Sequence, residues 1–279
     1  MKKVHWTVWL ATMAMPLLAQ HGYWQQAIDY RIELTMDPAV HQFQATQKMV
    51  YTNNSPDTLR MVFVHLYFNA FQPNSAMDQR QRALPDPDGR IGSRIQALTP
   101  EEQGWQRIEQ WTMGGQPVDF SVQGTVMKGV LPQPLLPGQT ATFDLQYRAQ
   151  VPIQIRRSGR NNAEGVDYTM TQWYPKMAEY DRLGWHADPY IAREFHGVWG
   201  RFDVTINIDS KYVLAGTGVV QNPCEVGHGY CPTAKGKRKK KGMTQWRFKA
   251  ENVHDFAWAA DPEYAHDALT TADGKVLRF

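Results

Sequence analysis

Apolar and polar residues alternate with a period of two along most of this chain. Ile28, Tyr30, Ile32, Leu34 and Met36 fall on one side and Asp29, Arg31, Glu33 and Thr35 on the other, the pattern of a half-buried strand. Pro38 breaks the run, and a second strand is predicted from Gln42 to Thr52. Asn53-Asn54-Ser55-Pro56-Asp57 is a polar turn. The strand after it, Leu59 to Phe68, is apolar on both faces and is expected inside a sheet, covered on both sides. Strands are also predicted at Trp105 to Met113, Val118 to Val122 and Thr125 to Leu131, with Gly114-Gly115 turning between the first two. Others follow at Ala141 to Ala149, Phe202 to Ile208, Tyr212 to Val220 and Trp246 to Ala250, before a last apolar run from Val253 to Ala260. Residues 73 to 104 read as a long surface loop and Pro132 to Gly138 as a turn. No segment carries ten residues of helical periodicity. The expected fold is all-β: packed sheets, a sandwich or a curved double sheet.

Residues 152 to 200 have no period, yet Trp173, Tyr174, Tyr180, Trp185, Tyr190, Phe195 and Trp199 all fall there. So many large rings argue against disorder. Facing water they would make an unusually apolar surface, so docking against another domain is expected to bury them.

Lys2 and Lys3 head an apolar stretch from Val4 to Leu18 that ends in Leu17-Leu18-Ala19, the layout of an export signal over residues 1–19. The stretch is short for a bilayer span and interrupted by His5 and Pro16. An uncleaved anchor is the alternative; with cleavage no integral membrane segment is expected, and the mature chain is placed in the periplasm or outside the cell. The formal charge is +3, but six basic residues lie between Lys235 and Lys241 and two in the signal. Without those eight the count is 22 basic against 27 acidic, a balance of −5. The basic run carries no aromatic residue to stack on bases, so it reads as a solvated hairpin tip and no specific nucleic-acid partner is expected. Cys224 and Cys231, flanked by Pro223 and Pro232, suit a disulfide closing a small loop in an exported protein, two free thiols being the alternative.

Chemistry-bearing motifs are missing. The nine histidines form no H-E-x-x-H, and no G-x-S-x-G is present. Gly216-Thr217-Gly218 opens no helix and reads as a bulge or strand-end turn rather than a phosphate site. His186 with His196, or His254 with His266, are pairs that can meet at a metal only through tertiary folding, and no metal ligands are assigned. Asp181 with Asp188, or Glu194 with Asp203, receive no acid–base role, because nothing in their spacing selects a pair.

Three stretches carry a resemblance. The first runs from Tyr30 to Phe71, with Asn53-Asn54-Ser55-Pro56-Asp57-Thr58-Leu59 leading into Val64-His65-Leu66-Tyr67-Phe68-Asn69-Ala70-Phe71. The second is Gln172-Trp173-Tyr174-Pro175-Lys176, continuing through Tyr180-Asp181 and Gly184-Trp185-His186 to Phe202-Asp203-Val204. The third, and the most specific, is Val253-His254-Asp255-Phe256-Ala257-Trp258-Ala259-Ala260-Asp261-Pro262. In order and separation they resemble the N-terminal domain of zinc metallopeptidases of the aminopeptidase N family, in the exported bacterial form.

The resemblance implies a saddle-shaped β-domain over residues 25–265, with residues 266–279 beginning the crossing to an α-rich, thermolysin-like catalytic domain absent from this chain. It implies removal of amino-terminal residues from peptides by the parent enzyme, with zinc held on an H-E-x-x-H helix. This chain lacks that motif, so by itself it is expected to bind no zinc and to hydrolyse nothing. The β-domain would close one side of the cleft and dock on the catalytic domain. It would also lend a loop to the substrate's first residue, where Gln172 is the positional match for a substrate-contacting Gln. The rival expectation is an exported, non-catalytic β-sandwich that binds peptide, glycan or protein.

Overall fold

A computed structural model describes residues 22–85, 87–191, 195–231 and 242–278. The signal-like segment, Glu194, the Lys235 to Lys241 run and Phe279 lie outside the described residues. The strands, in chain order, are β1 (Ala27–Asp37), β2 (Gln42–Thr52), β3 (Leu59–His65), β4 (Trp105–Met113), β5 (Gln116–Pro117), β6 (Asp119–Gln123), β7 (Val126–Leu135), β8 (Thr140–Gln150), β9 (Gly159–Arg160) and β10 (Tyr168–Met170). They continue as β11 (Lys176–Met177), β12 (Tyr180–Asp181), β13 (Gly184–Trp185), β14 (Gly200–Asp209), β15 (Val213–Gly216), β16 (Val219–Val220), β17 (Met243–Val253), β18 (Trp258–Asp261), β19 (Ala268–Thr270) and β20 (Val276–Arg278). Two short helices, α1 (Ala76–Ala83) and α2 (Pro223–Val226), complete the regular elements together with single 3-10 turns.

The fold is all-β. An eight-stranded sheet runs in the order β16-β17-β14-β1-β2-β8-β4-β5, and two four-stranded sheets, β15-β18-β10-β9 and β11-β3-β7-β6, pack on its apolar face. Alternation sets the inner face: Ile28, Tyr30, Ile32, Leu34 and Met36 are buried, as are Phe43, Met49 and Tyr51 on β2 and Phe202, Val204, Ile206 and Ile208 on β14. On the outer face, polar partners meet in water, among them Arg201 with Asp29 and Lys48 with Asp144. Gly114 and Gly115, both at positive φ, make the two-residue turn between β4 and β5. Cys224 and Cys231 are bridged around α2.

Several elements differ from expectation. Residues 73 to 104 are more than a surface loop. Ser75 caps α1 through Asp78 N, and Met77, Ile91 and Ile95 build a satellite core with Tyr67, Phe71 and Tyr190. One eight-residue helix is too short to show a helical period in sequence. The stretch from Pro132 is not all turn, because β7 continues to Leu135. Beyond Val130 it has lost its β6 neighbour, and that open edge tolerates Pro132 and Pro134, which donate no ladder bond. β3 does lie inside its sheet, with Val62 and Val64 sealed on one face, but on the other Met61 is exposed and Phe63 is half-covered by Trp185. The run from Tyr212 splits into β15 and β16 at Gly218, whose φ is 83°.

The aromatic segment brings the largest correction. Trp173 and Tyr174 are fully buried, and Tyr190 nearly so, inside this chain's own sheets. No second domain is needed to cover them. Of the seven rings, Trp199 is the one left half exposed.

β1 pairs in parallel with β14, an arrangement that local alternation cannot specify. Gly200 opens β14 opposite Ile28, and a Cβ there would sit 1.5 Å from the Ile28 carbonyl oxygen. Gly200→Ala must push the two strands apart, so thermal or urea unfolding should show a loss of about 2 kcal/mol or more. Unchanged stability would mean the central register is wrong.

Candidate functional site

The three stretches that carry the sequence resemblance meet in space. β11 pairs with β3, setting Lys176 opposite His65 and Met177 opposite Val64. Trp173 donates from Nε1 to the Phe256 carbonyl at 3.0 Å. The 172–178 segment is irregular and buried, so its backbone polar groups need partners. Side chains from other elements supply them. Gln47 on β2 donates to the Pro175 carbonyl at 2.6 Å, Gln106 on β4 donates to the Trp173 carbonyl at 3.0 Å, and Met177 N donates to the Tyr30 hydroxyl at 3.0 Å.

Asp255 is the hub of the polar groups. Its Oδ1 accepts from the Tyr174 hydroxyl and from Phe256 N, each at 2.9 Å. Its Oδ2 lies 3.3 Å from Lys176 Nζ and 3.5 Å from Gln172 Nε2. Lys176 is 1% exposed, and burial lowers its ammonium below the usual lysine range although Asp255 pulls the other way. Gly197 passes so close that a Cβ there would meet Lys176 Cε at 2.6 Å.

Gln172 stands at the rim of an open concavity of about 330 Å³, together with Arg157, Phe195, Thr217, His254 and Asp255. Its φ is +49°, a left-handed conformation that a non-glycine residue adopts at a cost. The buried Trp173 next to it in the chain anchors this conformation, and the Gln172 amide reaches Asp255 at 3.5 Å. The residue singled out by sequence therefore lines a polar recess, with its amide turned toward Asp255. Sequence reasoning missed Asp255 and Lys176 as a pair. The signal available was a Lys within an aromatic run and an Asp within an apolar run.

A second polar group sits on the β12–β13 hairpin. Glu179, Asp181 and His186 share one face of it, because Asp181 pairs with Gly184 and His186 N donates to the Glu179 carbonyl at 2.9 Å. Tyr180 and Trp185 occupy the other face, their ring centroids 5.0 Å apart. Of the two histidine pairs noted in the sequence, His186 and His196 do converge, at 4.8 Å between centroids. His254 instead stacks on Trp199, and His266 packs on Tyr230. Asp188 is absent from the group of ligating atoms that includes Asp181, and Asp203 sits on β14.

Two buried groups here titrate in opposite senses. Burial, and then the Asp181 carboxylate, raise Glu179 to about 7. Burial lowers His65 to about 4, against the effect of its contact with the His186 carbonyl.

No family model matches the chain, and no curated protein matches it. Among solved structures it is similar to a mutant M1 zinc metallopeptidase from Deinococcus radiodurans bound to a Tyr-Ser-Ala substrate, at 12% identity and a TM-score of 0.49, over 91% of this chain and 46% of that one. It is likewise similar to a mutant two-domain M1 zinc metallopeptidase bound to L-tryptophan, at 12% identity and a TM-score of 0.48, over 92% of this chain and 48% of that one. The chain spans about half the length of the solved structures it matches. At these identities and scores the likeness assigns neither family nor activity. Among the described residues, no helix is long and apolar enough to cross a membrane.

Truncating Asp255 would leave Lys176 buried without its countercharge. Asp255→Ala should cost about 3 kcal/mol or more in unfolding free energy, and adding Lys176→Met should recover part of the loss. Equal stability of the wild type and Asp255→Ala would remove Asp255 as the hub.

The titrations carry their own test. The unfolded chain releases the Glu179 proton near 4.5, whereas the folded chain holds it to about 7, so this group costs stability as pH rises through that window. His65 acts the other way: below 6.5 only the unfolded chain takes up its proton, down to about 4, so stability is lost as pH falls. The two largely offset each other in the wild type. In chelator-containing buffer, Glu179→Gln should therefore gain stability relative to wild type between pH 4.5 and 7, by about 1–2 kcal/mol once solvent screening is allowed for. A difference in melting temperature that stays flat with pH would refute the buried acid.

Proposed function

We propose that this chain is the N-terminal cleft domain of an exported, zinc-dependent metallopeptidase of the aminopeptidase type, which removes amino-terminal residues from peptides. One observation carries the reading. The three separate stretches that resemble the aminopeptidase N family pack against one another and leave Gln172 at the rim of a polar recess. A family-specific sequence pattern that folds into one contiguous polar locus, with a left-handed residue at its edge, is what a substrate-facing loop requires. In this reading Gln172 meets the amino-terminal end of the peptide, and Arg157 and Thr217 shape the same recess. Zinc, its H-E-x-x-H helix and the general base belong to a catalytic domain outside the 279 residues of this chain. The exposed hairpin of β19 and β20, with Leu269, Val276 and Leu277 on its surface, is where the crossing to that domain would start.

The test reads the coding sequence past codon 279 and assays both polypeptides on aminoacyl-p-nitroanilides. The extended protein should cleave and the 279-residue chain should not. Gln172→Ala in the extended protein should lower kcat/KM by about tenfold or more. Turnover by the short chain, or a frame without H-E-x-x-H, would sink the proposal.

A further inference from the structure

Asp181, His186 and His196 place one carboxylate oxygen and two imidazole nitrogens within 4.8 Å of one another, the group among the described residues with this geometry. We infer that these three side chains form a binding site for a single transition-metal ion, with zinc the expected occupant. The chain contains no H-E-x-x-H, so the inference stands or falls independently of the peptidase reading.

The hairpin builds two of the three ligands in advance. Asp181 Oδ1 accepts from Leu183 N at 2.7 Å, which fixes the carboxylate across the turn and leaves Oδ2 to face the histidines. Gly184, opposite Asp181, takes the positive φ of 96° that the tight hairpin turn requires. His186 Nε2 lies 2.8 Å from Asp181 Oδ2, yet that nitrogen is sealed from water and makes no well-aligned hydrogen bond. With its proton released, the same nitrogen offers a lone pair beside the carboxylate oxygen, and a shared cation can replace that proton. The third ligand arrives from another part of the chain. His196 Nε2 lies 3.9 Å from the same oxygen, and its ring stands at 79° to His186. His196 is also the most exposed of the three, so it can close on a metal without disturbing the core.

The donor set selects the ion. Calcium and magnesium prefer all-oxygen shells, whereas two imidazoles with one carboxylate favour zinc and its transition-metal neighbours. Zinc bonds of about 2.0–2.2 Å place ligands roughly 3.4 Å apart. The 2.8 Å contact must therefore open slightly, and His196 must move in by up to about 1.4 Å, since the three ligand atoms span up to 4.8 Å. Three protein ligands leave a fourth position for water. Bound metal would tie the β12–β13 hairpin to the stretch of chain carrying Phe195, which lines the recess beside Gln172.

The 279-residue chain, stripped with chelator and dialysed, is titrated with zinc chloride against a chromophoric zinc indicator, and separately with cobalt chloride for its visible spectrum. One zinc per chain is expected, with a cobalt spectrum of nitrogen–oxygen coordination and a rise of a few degrees in melting temperature. His186→Gln and His196→Gln should each weaken zinc binding by more than about tenfold. The His254→Gln, His266→Gln double variant should bind as wild type does. His196→Gln keeps the test decisive even if changes at Asp181 or His186 impair folding, because His196 is largely exposed. Absence of saturable binding by the folded wild type would overturn the inference, as would unchanged affinity in the folded His196→Gln variant.

Discussion

Everything in this domain turns on satisfying the backbone of a buried segment that belongs to no long strand. Between Gln172 and Ala178 the chain runs beneath the large sheet with Trp173 and Tyr174 sealed in the core. A buried carbonyl without a partner would cost about 1–3 kcal/mol, so such a path exists only where other elements reach in to it. Gln47, Gln106 and Tyr30 do so from three strands of the large sheet, and Ala178 N donates to the Phe63 carbonyl of a second sheet. Sheets and segment are thus mutually required: the sheets supply partners, and the segment's rings fill the space between the layers.

The same constraint builds the polar locus. Once the segment is fixed, Lys176 has nowhere to go but inward, where Asp255 is its counter-ion and Gly197 makes room for its stem. Asp255 then serves Tyr174, Phe256 N and Gln172 as well, which couples the recess to the core through one carboxylate. Removing water from these groups strengthens their interactions and makes each indispensable. The chain beyond Lys176 leaves the core as the β12–β13 hairpin, so the Glu179, Asp181 and His186 face is presented directly beside the buried pair.

Much of the fold was legible because it rests on local rules. The limits of β2 and β4 follow from alternation and from the Gly114-Gly115 turn, and β1 differs from its expected run by a residue at each end. What was illegible rests on long-range pairing. α1 announces itself only through Ser75 and Asp78, since eight residues give no period. Leu59 to Phe68 looked apolar on both faces, but Met61 faces outward and the run turns into a 3-10 helix at Tyr67. The rings of 152–200 suggested an external partner, yet Trp173 and Tyr174 are sealed under the eight-stranded sheet and Tyr190 in the satellite core with Tyr67 and Phe71. Resemblance singled out Gln172, which lies at the rim of the recess. Its companions Asp255 and Lys176 stand 79 residues apart in the chain, and their pairing is set by the fold alone.

From the order of residues alone came the alternating positions, the interruptions at glycine and proline, and hence layered sheets with apolar faces inward. These are properties of neighbouring residues, and the strand's two-residue repeat reads them out directly. Only folding in three dimensions settled that β1 lies parallel to β14, that Lys176 meets Asp255, and that His196 comes to the Asp181–His186 hairpin. Those meetings are set by packing between segments distant along the chain, where volume, burial and hydrogen-bond satisfaction must close together, and no local pattern encodes that closure.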